Sequence, residues 1–321
     1  MNWKFFIVSS IVLFSFSNTW ERNENQSVVL KNAFLKVEIN LKGAELKSML
    51  DLQTQSELLW QADPKYWEQT SPILFPFVGK SWNDEYHYEG NVYPMKTHGF
   101  AKDKLFELYK STETEVWLQL TEDEETMKMY PFKFKLLIGY ALENDQLKVT
   151  WLVKNTDSKK LYFQIGGHPG FALPDWNAND SIQAYVKLES PHTTIQFMVK
   201  EAGRYFTENP TKHNYQPDID GFFPLTEHFF KDDAVIFENN QALAVQLFDK
   251  QKTPLVKVSF DTPVFALWTA QHKAPFVCIE PWWGRADTQD FKGDISQRKW
   301  MQHLQPHESF TSSYTITSGQ K

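Results

Sequence analysis

The chain has 321 residues, 33 Lys and Arg against 40 Asp and Glu, and a formal charge of −7. With 41% hydrophobic residues it can bury a packed interior, and its negative field repels phosphate-rich surfaces, so neither a disordered chain nor a general nucleic-acid or anionic-membrane binder fits. A single cysteine, Cys278, excludes an intrachain disulfide framework and a multi-cysteine metal centre, and the 26 Phe, 12 Trp and 12 Tyr are an aromatic excess that needs a use.

At the N-terminus, Lys4 precedes an apolar stretch from Phe5 to Phe14, followed by the small residues Ser15 and Ser17. This pattern predicts a secretory signal over residues 1–17, cleaved after Ser17. The stretch is shorter than the roughly 20 residues a spanning helix needs, which sets the alternative, an uncleaved membrane anchor, second. The expected location is therefore outside the cytoplasm, periplasmic or extracellular. Residues 18–27 read as a polar leader, and a single domain is expected over residues 28–321. In an oxidising space the lone thiol of Cys278 is tolerable if it is buried.

From Val28 onward, alternation with period two dominates. Strands are predicted at Val37–Ile39, Val116–Leu120, Ala244–Leu247 and Val256–Phe260, and the alternation of Phe132 to Tyr140 and of Leu147 to Val153 across Glu143-Asn144-Asp145 predicts a hairpin. A short helix is predicted to start at Asp63-Pro64, with Asp63 as cap and Pro64 at the first helical position. The acidic run Glu122-Asp123-Glu124-Glu125 reads as a solvated loop. No linker and no fixed-period repeat divides the chain. The fold class is all-β, a large antiparallel β-sandwich, in which aromatics can serve as core filler.

Phosphate-loop, dinucleotide and serine-hydrolase motifs are absent, and no two of the nine histidines form a tight ligand pair. Three segments instead place an ionisable residue among glycine, proline and aromatics. Thr97-His98-Gly99-Phe100 sets an imidazole beside a residue that permits close backbone approach. Ile165-Gly166-Gly167-His168-Pro169-Gly170-Phe171 breaks a strand and can aim an imidazole into a cleft, or be a structural turn. Phe276-Val277-Cys278-Ile279-Glu280-Pro281-Trp282-Trp283 ends an apolar strand on a carboxylate, whose pKa burial would raise toward that of a general base; a capping or ion-paired Glu is the alternative. By alternation Cys278 lies on the same strand face as Glu280.

Together with Leu30–Leu35, Lys42–Leu46, Leu59–Asp63, Tyr66-Trp67 and Ser71–Lys80, these segments resemble the aldose 1-epimerase (galactose mutarotase) family, LacX-like branch, from about Val28 to the C-terminus. The resemblance implies a galactose mutarotase-like sandwich that interconverts the α and β anomers of a free aldose, a hexose or related sugar, with no cofactor and no metal. It implies Glu280 as base for the C1 hydroxyl, His168 as acid for the ring oxygen, and His98 as a sugar ligand. Lys80 and Trp282 are further candidate substrate contacts. Lys80 stands where family members often carry Arg, keeping the charge without the planar fork. The family's substrate-binding Asp is left unassigned, Asp232 and Asp233 reading as a solvated loop pair. Arg285 and Asp287 are expected to pair with each other or with substrate. A silent carbohydrate-binding protein on the same scaffold, a hexose-phosphate mutarotase and a glycoside hydrolase are the competing readings. The net charge argues against the phosphate-ester reading and the single well-placed carboxylate against the hydrolase. The partner is a small sugar, and the chain is expected as monomer or homodimer.

Overall fold

A computed structural model describes residues 26–201, 205–270 and 274–319. The predicted signal and nearly all of the leader lie outside the described residues. The central hairpin forms as the alternation requires: Phe134–Glu143 pairs with Gln146–Asn155 from Phe134 opposite Asn155 to Glu143 opposite Gln146. Asn144 makes the turn with a left-handed φ of 54°, a conformation its short polar side chain tolerates. The alternate residues Leu136, Ile138, Tyr140, Val149 and Trp151 are buried.

This hairpin lies inside a nine-stranded sheet. Its order is Phe223–Thr226, Ile182–Glu189, Ala244–Phe248, Pro254–Phe260, Ser309–Ser318, Gln146–Asn155, Phe134–Glu143, Glu115–Thr121 and Glu107–Ser111. A second sheet runs Val235–Glu238, Val264–Trp268, Phe276–Trp283, Ile165–Gly167 and Ile73–Leu74, with Gly170–Ala172 also on Phe276–Trp283. A four-stranded sheet, Ser27–Lys31, Leu35–Asn40, Leu46–Asp51 and Ser56–Glu57, flanks them. The pairings within both large sheets are antiparallel. The fold is an all-β antiparallel sandwich, as the patterning predicts.

The second sheet is apolar on both faces, and period two decides which face each side chain joins. Val277 and Ile279, with Phe265, Leu267, Val235 and Phe237, enter the main core beside Tyr140 and Tyr314 of the nine-stranded sheet. Their neighbours Phe276, Cys278, Trp282, Val264, Ala266 and Ile236 face the other way into two smaller clusters. The site lies between those clusters.

Two local readings are corrected. The segment after Asp63 makes a single turn, with the Tyr66 and Trp67 N–H groups on the Asp63 carbonyl, and no helix follows. The Trp60 indole, donating to the Trp67 carbonyl at 2.9 Å, draws the chain across the sheet instead. Conversely, the acidic run forms the helix Glu124–Met129. Asp123 caps it through the Thr126 N–H, and Thr126 returns a bond to the Asp123 N–H. Acids in a first helical turn meet the positive end of the helix dipole, and Lys104 bridges Asp123 at 2.9 Å and Glu125 at 2.5 Å. No helix among the described residues is long and apolar enough to cross a membrane.

Candidate active site

His168 and Glu280 meet because one register spans the strand break between them. Gly166 pairs with Trp282 and Gly170 with Cys278. Counting two residues inward from either pair sets His168 opposite Glu280. His168 Nε2 lies 3.1 Å from Glu280 Oε2, with the Glu280 side chain 1% and that of His168 10% exposed. Gly166 makes room for this: a Cβ there would sit 2.5 Å from Trp282 Cδ1.

His98 comes from a different element. Its backbone is left-handed, with φ of 67°, in a turn docked on residues 75–79. The His98 N–H donates to the Gly79 carbonyl at 2.9 Å, and the Gly79 N–H donates to His98 Nδ1 at 3.2 Å. Gly99 follows with φ of 72°, where a Cβ would lie 2.2 Å from the Phe75 carbonyl oxygen, so only glycine fits. An Nδ1 that accepts leaves the proton of the neutral ring on Nε2. The rings of His98 and His168 are 5.5 Å apart and nearly perpendicular.

Burial governs the charges. It pushes the Glu280 carboxyl well above its ordinary pKa, with the Lys200 ammonium opposing. It drops His168 to about 3 and holds His98 well below its ordinary value, the latter reinforced by His168 and the Lys200 and Lys102 ammoniums. Glu280 Oε1 and His168 Nδ1 are buried with no hydrogen bond of ordinary geometry among the described residues, while the Trp282 side chain lies close enough to Glu280 to oppose the rise in its pKa.

These side chains line a cavity of about 1040 Å³, and all five sequence-predicted residues, Lys80, His98, His168, Glu280 and Trp282, reach it. Lys80 is engaged by Asp84 at 3.1 Å and lies 5.6 Å from the Tyr205 ring centre. Trp283, on the opposite strand face, donates from Nε1 to Ser312 Oγ at 2.7 Å and packs on the main core. Aromatic walls complete the cleft: the Trp67 ring lies 4.9 Å and the Trp268 ring 5.3 Å from that of His168.

Asp233, read from sequence as a solvated loop residue, stands in this cleft. Its Oδ2 is 2.5 Å from Lys200 Nζ and its Oδ1 accepts from Trp268 Nε1 at 2.8 Å. Burial alone would raise its pKa, but Lys200 and the donors from Trp268 and Ala234 outweigh that and keep it ionised. Asp232 is exposed and pairs with Lys231 at 3.8 Å. Arg285 and Asp287 do not pair with each other: Arg285 holds Glu238 at 3.0 Å and Asp287 holds Arg298 at 2.9 Å. Both pairs are buried. Asp287 also accepts from the Trp82 N–H, and Arg298 donates to Ser81 Oγ and the Val78 carbonyl, which fixes the segment that carries Gly79 and Lys80.

His168, Cys278 and Glu280 offer a nitrogen, a sulfur and an oxygen within 4.8 Å of one another. Burial raises the pKa of both Cys278 and Glu280, which opposes the thiolate and carboxylate a cation would require. The trio fits an acid–base pair backed by a packed thiol better than a metal centre.

The aldose 1-epimerase family model matches residues 26–317. LacX proteins of Lactococcus lactis subsp. lactis are 28% identical over 303 residues, covering 91% of this chain and 99% of theirs. A galactose mutarotase related enzyme from Lactobacillus acidophilus superposes with a TM-score of 0.84 at 34% identity, over 92% of this chain and 99% of that one. A galactose mutarotase-like protein from Lactobacillus casei does so with 0.85 at 26%, over 91% and 99%. With its sandwich, its cleft and these matches, the chain belongs to the aldose 1-epimerase family.

Proposed function

We propose that the protein interconverts the α and β anomers of an aldose by acid–base ring opening and closure, with Glu280 and His168 as the proton-transfer pair. One observation carries the reading: two buried proton carriers 3.1 Å apart face a cleft with ample room for a sugar. The reaction needs proton sites at that spacing, because the C1 hydroxyl and the ring oxygen are bonded to the same carbon. The C1 hydroxyl proton passes to the Glu280 carboxylate while the C1–ring oxygen bond breaks toward the oxygen. That oxygen takes the proton from His168. Rotation about C1–C2 exposes the other face of the new carbonyl, and the reverse transfers close the ring. The pair holds one proton before and after. Burial favours the arrangement reached on opening, with both groups neutral. His98, donating from Nε2, and ionised Asp233 would orient the sugar, with Trp67 and Trp268 against its C–H faces.

The signal-like residues 1–17 support export to the periplasm or outside the cell as part of the proposal. Optical rotation of freshly dissolved α-glucose and α-galactose tests the activity. Equilibration should outpace buffer alone, and no acceleration across a panel of aldoses would refute it. A silent sugar-binding role is the second reading, favoured by Lys80 being occupied by Asp84; it predicts calorimetric binding with no acceleration.

A further inference from the structure

One row of residues crosses the second sheet to the acid–base pair. The Met198 and Ile236 backbones exchange hydrogen bonds of 2.8 Å, Ile236 is opposite Ala266, and Ala266 is opposite Glu280. Met198, Ile236 and Ala266 belong to one buried cluster on the cleft side of the sheet. Two strand spacings, about 10 Å, separate Ile236 from Glu280. The outer end of this row carries an ion pair. Lys200 lies two residues past Met198, and Asp233 turns the chain into the strand Val235–Glu238 with a left-handed φ of 85°. Their contact is 2.5 Å, with the Lys200 side chain 15% exposed, and both line the cavity that Glu280 and His168 face.

The ion pair has a direction. Asp233 Oδ1 accepts from Trp268 Nε1 at 2.8 Å, and the ring centre of that indole lies 5.3 Å from that of His168, so the negative end is tied toward the imidazole. The charge effects run the same way. Beyond the rise that burial gives Glu280, Lys200, opposing it, acts more strongly than Asp233. Beyond the fall that burial gives His168, Asp233, opposing it, acts more strongly than Lys200. The other ionisable groups on the cleft do not supply this polarity. Burial keeps the proton on Cys278 and holds His98 neutral. Lys102 opposes charge on both imidazoles. Lys80 and Lys231 are engaged by Asp84 and Asp232, Glu201 accepts from Thr207 Oγ1 and the Thr211 N–H, and Lys65 is exposed beside Tyr66. Ring opening starts with Glu280 as carboxylate and His168 as imidazolium, the form that burial disfavours. An ammonium toward the carboxylate and a carboxylate toward the imidazolium lower its cost.

We infer that the Lys200–Asp233 ion pair is a fixed dipole that favours the charge-separated form of Glu280 and His168, and that Lys200 is a positioning residue acting through Glu280. The inference rests on the proposed isomerase reading and adds a residue to it. A unit charge about 10 Å away, at an effective dielectric of about 20, changes a protonation equilibrium by about tenfold. Two measurements on purified protein test it: the pH profile of kcat/KM for anomer exchange followed by NMR, and a titration of the sugar-free protein followed by the infrared carboxyl band that Glu280→Gln removes. Lys200→Met should move the profile and the Glu280 titration upward by about one pH unit, because losing a positive charge favours bound protons, and should lower the maximum about tenfold. Lys200→Arg keeps the charge and should restore both. A merely structural lysine would lower the maximum with profile and titration in place, and that result overturns the inference. Asp233→Asn should move the Glu280 titration the other way, downward, which decides even if the Met variant fails to fold; an unmoved titration there overturns the inference too. A Glu280 titration that shifts as expected in a protein without anomer exchange would retain the dipole and refute the isomerase reading. Exchange with a titration that neither variant moves would do the reverse.

Discussion

The strand Phe276–Trp283 carries two faces built from one alternating sequence, and they solve opposite problems. Val277 and Ile279 enter the main core, a cluster of buried aliphatic and aromatic side chains. Glu280 and Trp282, one residue out of step, are as deeply buried yet line the cavity that His168 also faces. One face thus gives the stability that the other spends on holding charge-bearing groups in a dry site. The lesson is that burial alone does not distinguish core from site; ionisable groups gathered on one cavity do.

The hardest test of that division is Glu280→Gln. It keeps shape and burial but removes the proton carrier, so anomer exchange should fall by about 10²- to 10⁴-fold with the far-ultraviolet circular dichroism unchanged. Retained activity would break the assignment. On the other face, Ile279→Ala should cost about 2–5 kcal/mol, read as a lower denaturation midpoint, while kcat/KM per folded molecule stays within a few-fold. Activity falling in step with Glu280→Gln would mean that the two faces are not separable.

Much of this division is legible in the sequence, because period two is fixed by backbone geometry. The face shared by Cys278 and Glu280 follows from counting residues, and the Gly-flanked His98 and His168 stand out because glycine marks close approach. Asp233, Lys200 and Trp268 are not legible in the same way. They come from separate segments, and a Lys-Asp-Asp run looks solvated until a Trp indole and a lysine from elsewhere close on it. The helix at Glu124–Met129 had a readable signal, Asp123 followed three residues later by Thr126. Charge repulsion in the run obscured it, because neither the helix dipole nor the distant Lys104 is visible in a linear count.

The same contrast predicts a pH dependence of stability. Burial holds the Glu280 pKa well above 4.5, its ordinary value, so the folded protein keeps a proton that the unfolded chain releases. That contribution is full below 4.5 and is lost as pH rises toward the folded pKa. His168, with an ordinary value of 6.5 and a folded one of about 3, acts oppositely: stability is present above 6.5 and lost as pH falls toward 3. Glu280→Gln removes only the first effect. Its melting temperature minus that of wild type should therefore grow as pH rises above about 4.5, at roughly 2–4 °C per kcal/mol. A flat difference in calorimetric scans would show that Glu280 is not held protonated by burial.

Cys278 sharpens the comparison where its expected effect is smallest. It shares the site-facing side of the strand with Glu280 and is fully buried, but it packs among Trp60, Ala270, Ala274 and Phe276. If function belongs to the polar residues rather than to the whole face, Cys278→Ala should behave as a core change. Removing one sulfur should cost about 1 kcal/mol by denaturant titration. Anomer exchange should stay within a few-fold of wild type. A loss approaching that of Glu280→Gln would make the thiol part of the chemistry. The dividing line would then run along the face of the strand rather than between its packed and its ionisable side chains.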